Sequence, residues 1–161
     1  MTDQPMRVLQ VIGKMDFAGT ENAVMNWYRH QDHSDIQFDF LVHADDPGAF
    51  DEEIRSLGGR IFRVPAFNGL NGVAYCKAVR SLLAEHPEWE VIHGHIGSTA
   101  SRYLGEARNA GRVTIAHSHN TNGPVSPSEL PFRFLSAPTR RVARDFLAAQ
   151  TRPELIVLGS R

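Results

Sequence analysis

The chain has 161 residues, 42% of them hydrophobic and 22% charged, a balance that supports one globular domain with its own core. A formal net charge of −1 supplies no basic field for nucleic acid or an anionic membrane. One cysteine, Cys76, allows neither a disulfide framework nor a zinc knuckle; it reads as a buried core thiol in a reducing compartment. The opening residues MTDQPMR lack a basic segment followed by an apolar signal core. No run approaches the roughly 18 apolar residues of a membrane span. The expected location is the cytoplasm.

Residues 7–13 (RVLQVIG) form a near-continuous apolar run, suited to a strand buried on both faces. A loop bearing Gly13 and Gly19 follows, and then Val24, Trp27 and Tyr28 recur at helical spacing. Strand, glycine loop and helix start make a common phosphate-binding arrangement, because helix N-termini carry unpaired N–H groups and a positive dipole end. The loop is neither a P-loop nor a G-x-G-x-x-G fingerprint. Its glycines are equally compatible with a tight turn that binds nothing.

Further along, residues 36–43 (IQFDFLVH) read as a second strand and Asp45-Asp46-Pro47-Gly48 as a solvated turn. Phe50, Ile54 and Leu57 space a short helix that stops at Gly58-Gly59. Residues 60–64 (RIFRV) make a third strand. An amphipathic helix follows over 73–84, with Val73, Cys76, Val79, Leu82 and Leu83 on its apolar face. Residues 89–93 (WEVIH) are a fourth strand, leading through Gly94-His95-Ile96-Gly97 to a helix with Ser98 as candidate N-cap. Gly111 closes that helix, and residues 112–117 (RVTIAH) are a fifth strand. A long loop over 118–131, a moderately helical stretch over 132–144 and a short strand at 146–149 complete the pattern. Strands alternating with helices, without hairpin signals, predict an α/β fold: a doubly wound, Rossmann-like parallel sheet with helices on both faces. Ligands bind such sheets outside the carboxyl ends of the strands. That rule brings residues 13–19, 93–97 and 117–122 to one crevice.

The chain holds eight histidines, and two pairs, His93/His95 and His117/His119, are spaced i, i+2. On a strand both members of a pair face one way, and four imidazoles suit a metal. Nearby carboxylates are sparse, however, and ligand histidines normally have carboxylate partners. No metal is therefore assigned; His93 and His117 are read as hydrogen-bonded strand-end residues. His95, His119 and Asn120 fall in the loops, where they suit a hydroxyl-rich ligand. Gly94-His95-Ile96-Gly97-Ser98 does not fit a nucleophile elbow. Glu21, in the first turn of a helix, is compatible with the dipole. Trp27, Tyr28, Phe62 and Phe67 read as core residues.

Taken in order, RVLQVIGKMDFAGTENAVMNWYRH, FDFLVH, LGGRIFRVP, VIHGHIGSTAS and TIAHSHNT closely resemble the N-terminal domain of family 4 glycosyltransferases, nearest to the bacterial exopolysaccharide and capsule type. The resemblance runs from about residue 7 to about residue 149. It implies the N-terminal half of a GT-B fold over 1–150, which mainly binds the acceptor. The nucleotide-sugar donor would be held mainly by a C-terminal domain that this sequence does not contain, and 151–161 departs from the family pattern. It further implies a retaining transfer with no cofactor, a nucleotide-sugar co-substrate, and a glycan or lipid-linked acceptor at the inner face of the membrane with peripheral association. The family loop Gly-Gly-Ala-Glu falls on Ala18, Gly19, Thr20 and Glu21. The resemblance thus places Gly19 and Ala18 at the donor phosphate and Glu21 beside the sugars. The family histidine near the reacting sugar falls on His119, implied to be catalytic, with Asn120 replacing the usual Asp. His95 matches another cleft position. The rival readings are a noncatalytic glycan- or partner-binding module and a metal-dependent hydrolase.

Overall fold

The computed structural model describes residues 4–118 and 156–158. The elements are β1 (Met6–Ile12), α1 (Gly19–His30), β2 (Ile36–Val42), α2 (Asp51–Ser56), β3 (Ile61–Arg63), α3 (Gly72–Glu85), β4 (Trp89–Gly94), α4 (Ala100–Asn109), β5 (Val113–Ala116) and β6 (Ile156–Leu158). They build one six-stranded sheet in the order β3-β2-β1-β4-β5-β6. The first five strands are mutually parallel. The sixth runs antiparallel to β5, with Ile115 opposite Val157. The expected helix over 132–144 and strand at 146–149 lie outside the described residues.

Alternate residues of the central strands feed two cores, one on each face of the sheet. Val8 and Ile12 join Phe38, Phe40 and Val42 beneath α1 and α2, where Val24, Met25, Tyr28 and Ile54 are buried. Leu9, Val11, Leu41 and Ile92 pack on the other face against Tyr75, Val79 and Leu83 of α3 and Tyr103, Leu104 and Ala107 of α4. At about 1.5–3 kcal/mol per large apolar side chain, these two layers dominate the stabilisation. Gly58 and Gly111 take positive φ, +88° and +75°, after α2 and α4, as helix-terminating glycines do. The apolar face expected for α3 is narrower than its spacing suggests: Val73 is 88% exposed and Cys76 is only partly buried.

Among the described residues, the carboxylates of Asp39, Asp51 and Glu106 are buried. Asp39 of β2 is fully buried. Its carboxylate accepts hydrogen bonds from Arg7 Nε (2.9 Å), Arg60 Nη2 (2.6 Å), the Arg60 backbone N–H (2.9 Å) and Trp89 Nε1 (2.7 Å). Arg7, Arg60 and Trp89 sit at the starts of β1, β3 and β4, the end of the sheet away from the expected crevice. This carboxylate therefore holds the fold rather than a ligand.

Arg60 also reaches Glu88 at 2.7 Å, and His86 Nδ1 lies 3.0 Å from the same oxygen. Partial burial raises the Glu88 carboxyl, but hydrogen bonds from Arg60 and His86 outweigh it and hold it at about 2. A folded value below the unfolded one means that this stabilisation is complete above the ordinary carboxylate range and is lost as the pH falls towards 2. Glu88→Gln is expected to flatten the acid limb of a melting-temperature profile between about pH 4.5 and 2. An acid limb identical to that of the unsubstituted chain would contradict the assignment.

Candidate functional site

The strand order reverses direction between β1 and β4. Connections leave these neighbouring strands towards opposite sides, which opens a crevice at their carboxyl ends. The backbone ties the rim together: His95 N–H donates to Val11 O (2.9 Å), His117 N–H to Gly94 O (2.8 Å) and His43 N–H to Gly13 O (2.8 Å). The loops after β1, β4 and β5 thus start at one rim, as the strand order predicts, and the loop after β2 joins them through His43.

The loop after β1 is anchored at its base and open at its tip. Met15 is fully buried, and its carbonyl accepts the Phe50 N–H at 2.9 Å. Asp16 accepts the Ala49 N–H at 3.0 Å, and that bond, with Lys14 beside it, holds the carboxyl below its usual range. Ala18 is the N-cap of α1 at φ −123°, ψ 173°, and makes no side-chain cap. Any L-residue adopts that conformation without strain, so alanine in place of the family's first glycine leaves the loop relaxed. The first N–H groups of α1 consequently carry no capping side chain. Gly19, the first residue of α1, is exposed, and a Cβ built on it meets nothing within 4 Å. Neither Gly13 nor Gly19 has a positive φ. The tight-turn explanation of these two glycines therefore finds no support in the backbone. Glu21 lies half-buried in the same first turn.

The loop after β4 is shaped by Gly94. A Cβ at that position would overlap the hydroxyl and ring of Tyr103, which is 1% exposed and donates to Ile96 O at 3.0 Å. Glycine between the two histidines is what lets β4 approach α4. His95 Nε2–H donates to Gln10 Oε1 at 2.8 Å, and Gln10 is fully buried. His93, His95 and His117 offer ring nitrogens that all lie within 4.8 Å of one another. Burial lowers the His117 pKa, which favours the neutral ring.

Two expectations need correction. Ser98 does not cap α4: it lies in a single 3-10 turn, Gly97–Thr99, and Thr99 occupies the cap position without a side-chain bond. The 3-10 turn carries the chain between the strand and the helix, so the helix starts one residue later than a cap at Ser98 implies. Trp27 is not core. It is 40% exposed, and its indole packs against His93, His95 and His117 at centroid distances of 6.2, 6.3 and 5.5 Å. Tyr28, the next residue, takes the buried position; neighbours 100° apart on a helix cannot both face the sheet.

Two residues of the rim have no motif behind them. Gln10 is one, visible in sequence as a lone amide in an apolar strand. His43 is the other: Nδ1 lies 3.2 Å from Ile12 O and Nε2 2.8 Å from the Tyr75 hydroxyl. Burial pushes the His43 pKa down and the Tyr75 hydroxyl up to about 12. A neutral imidazole donating to Ile12 and accepting from Tyr75 satisfies both ring nitrogens, so His43 serves to fix the rim. His119 and Asn120 lie outside the described residues.

Residues 18–153 match the model of the Glycosyl transferase 4-like domain. The chain belongs to this family. Among curated relatives of the glycosyltransferase 4-like chain is EpsF of Bacillus subtilis (strain 168), which carries a provisional glycosyltransferase assignment. It is 42% identical over 123 residues, covering 76% of this chain and 32% of the relative. The chain thus spans about a third of the relative's length. Anabaena Alr3699/HepE, solved in complex with UDP and glucose, superposes with a TM-score of 0.56 at 18% identity, covering 93% of this chain and 42% of that one. The same protein in complex with UDP-glucose gives 0.56 at 16% identity over the same shares. The glycosyltransferase 4-like domain described here therefore has the Rossmann-like sheet of the GT-B glycosyltransferases. Among the described residues, no helix is long and apolar enough to cross a membrane.

Proposed function

We propose that this domain supplies the acceptor side of a sugar transfer from a nucleotide-sugar to a glycan or lipid-linked acceptor, in the synthesis of an extracellular polysaccharide. The observation that carries the reading is the open N-terminus of α1, uncapped at Ala18 and unobstructed at Gly19, on the same rim as His95. Uncapped N–H groups at a helix start bind phosphate oxygens. They would meet the diphosphate of a donor held chiefly by a second domain across the crevice. HepE, of the same fold, has been crystallised with UDP-glucose, which supports a UDP-sugar as the first donor to test.

Roles follow from chemistry and family. Gly19 and Ala18 bring backbone to the diphosphate. His95, oriented by Gln10, together with Glu21 and Asn120, contacts sugar hydroxyls. The family resemblance assigns His119 to the reacting sugar, where its imidazole would stabilise developing charge. Half of the positioning groups lie in the donor domain, so the acceptor domain alone accelerates transfer little. The domain occupies 1–150 and works in the cytoplasm at the inner face of the membrane.

Calorimetric titration of UDP- and GDP-sugars tests this, run on the 161-residue chain and on the chain continuous with a donor domain. Binding is expected to be far tighter in the continuous form, accompanied by slow hydrolysis of one donor. If the continuous form neither binds nor hydrolyses any nucleotide-sugar, the transferase reading fails, and a noncatalytic glycan-binding module takes its place.

A further inference from the structure

Three histidines converge where β4 and β5 end. His93 stands opposite Gln10 of β1 and Ile115 of β5 in the parallel register. His95 lies two residues beyond His93 and His117 two beyond Ile115, so strand alternation turns all three imidazoles to the α1 face. One nitrogen from each lies within 4.8 Å of the others. Trp27 of α1 lies against the three rings. We propose that His93, His95 and His117 form a binding site for a divalent transition metal of the zinc, nickel or copper class, separate from the donor phosphate site; a bound metal takes the His95 nitrogen that otherwise meets a sugar hydroxyl.

Sparse carboxylates speak against a metal in the sequence, because a ligand histidine needs an acceptor for its second N–H. The structure supplies a different acceptor. The fully buried Gln10 amide oxygen takes the Nε2–H of His95 at 2.8 Å. With Nε2–H held by Gln10, Nδ1 is the nitrogen of His95 that would serve as the ligand. The donor set is three neutral imidazoles without thiolate or carboxylate. Such a set suits zinc, nickel or copper and discriminates against magnesium, calcium and manganese. Three protein ligands leave a coordination position for water or an incoming group.

The rings turn to engage. Tetrahedral coordination at about 2.0–2.1 Å places ligand nitrogens roughly 3.3 Å apart. His93 and His117 are stacked at 8° with centroids 5.4 Å apart, and a metal cannot lie in both of two parallel ring planes. Binding therefore turns these two rings out of parallel and draws the nitrogens together, while Gln10 holds His95.

The test is a titration of the chelator-stripped full chain with Zn²⁺ by calorimetry and with Co²⁺ by visible absorption. One equivalent of Zn²⁺ is expected, undisturbed by excess Mg²⁺, with an intense tetrahedral Co²⁺ band. His93→Ala and His117→Ala should each weaken binding by about 100-fold or more. Gln10→Ala, which touches no metal, should weaken it by about 10- to 100-fold. The Co²⁺ spectrum of the unsubstituted chain decides without any variant: only the faint octahedral band of the hydrated ion would overturn the site. Zn²⁺ binding that persists undiminished in the folded His93→Ala/His117→Ala double variant would overturn it equally.

Discussion

Asp39→Ala is expected to cost about 3–5 kcal/mol of folding stability, the range for removing one partner of a buried ion pair. The carboxylate satisfies two guanidinium groups and the Trp89 indole N–H at once. With it gone, the partly exposed Arg7 and Arg60 lose their shared anion, and the buried Trp89 N–H loses its acceptor. The uncompensated donors, more than the lost attraction, set the size of the effect. Domains of this size have only about 5–15 kcal/mol in total, so the variant should sit near the edge of folding at 37 °C. Asp39→Asn keeps the shape and one acceptor oxygen and should lose less. The contrast is Glu53→Ala. Glu53 pairs with Arg29 with both side chains more than a third exposed, and such pairs contribute about 0–1 kcal/mol. Urea denaturation of the three variants checks the ranking; an Asp39→Ala loss no greater than that of Glu53→Ala would contradict it.

Gly19→Val separates function from fold. Open space surrounds the position a Cβ would take, and φ is not in the left-handed region, so stability should change by about 0.5 kcal/mol or less. Donor binding by the chain continuous with a donor domain should nevertheless fall about 10- to 100-fold. That factor corresponds to ~1.5–3 kcal/mol for one hydrogen bond to a charged group, lost when a branched side chain stands between the helix N–H groups and the diphosphate. Gly19→Ala should lie between the two. Calorimetric dissociation constants paired with thermal melts check this; an unchanged constant removes Gly19 from the site.

Much of the fold can be read from local pattern, because strands buried on both faces write themselves as apolar runs such as VLQVI and FDFLV. Their order in the chain, with helices between, places the crevice before any coordinate is known. What local pattern does not carry is partner identity. Gln10 and Asp39 stand out as polar residues inside apolar strands, and a buried polar group must have a partner. That Gln10 meets His95, 85 residues away, and Asp39 meets Trp89, 50 away, is fixed only by the placement of β4 beside β1. The same placement moves Trp27 from the expected core to the histidine cluster. Helical spacing alone cannot tell which of two adjacent aromatics faces the sheet. The antiparallel β6 is invisible for a related reason: three apolar residues, Ile156–Leu158, suit a strand of either direction.

In the proposed complex, the rim formed by the N-terminus of α1 and the turn after β4 faces the donor. Hydrogen exchange of the chain continuous with its donor domain, with and without saturating UDP-sugar, measures this most directly. The geometry predicts slowed exchange at the amides of residues 19–21, which no side chain caps, and at those following His95. Protection confined to the donor domain, with both segments unchanged, would contradict it.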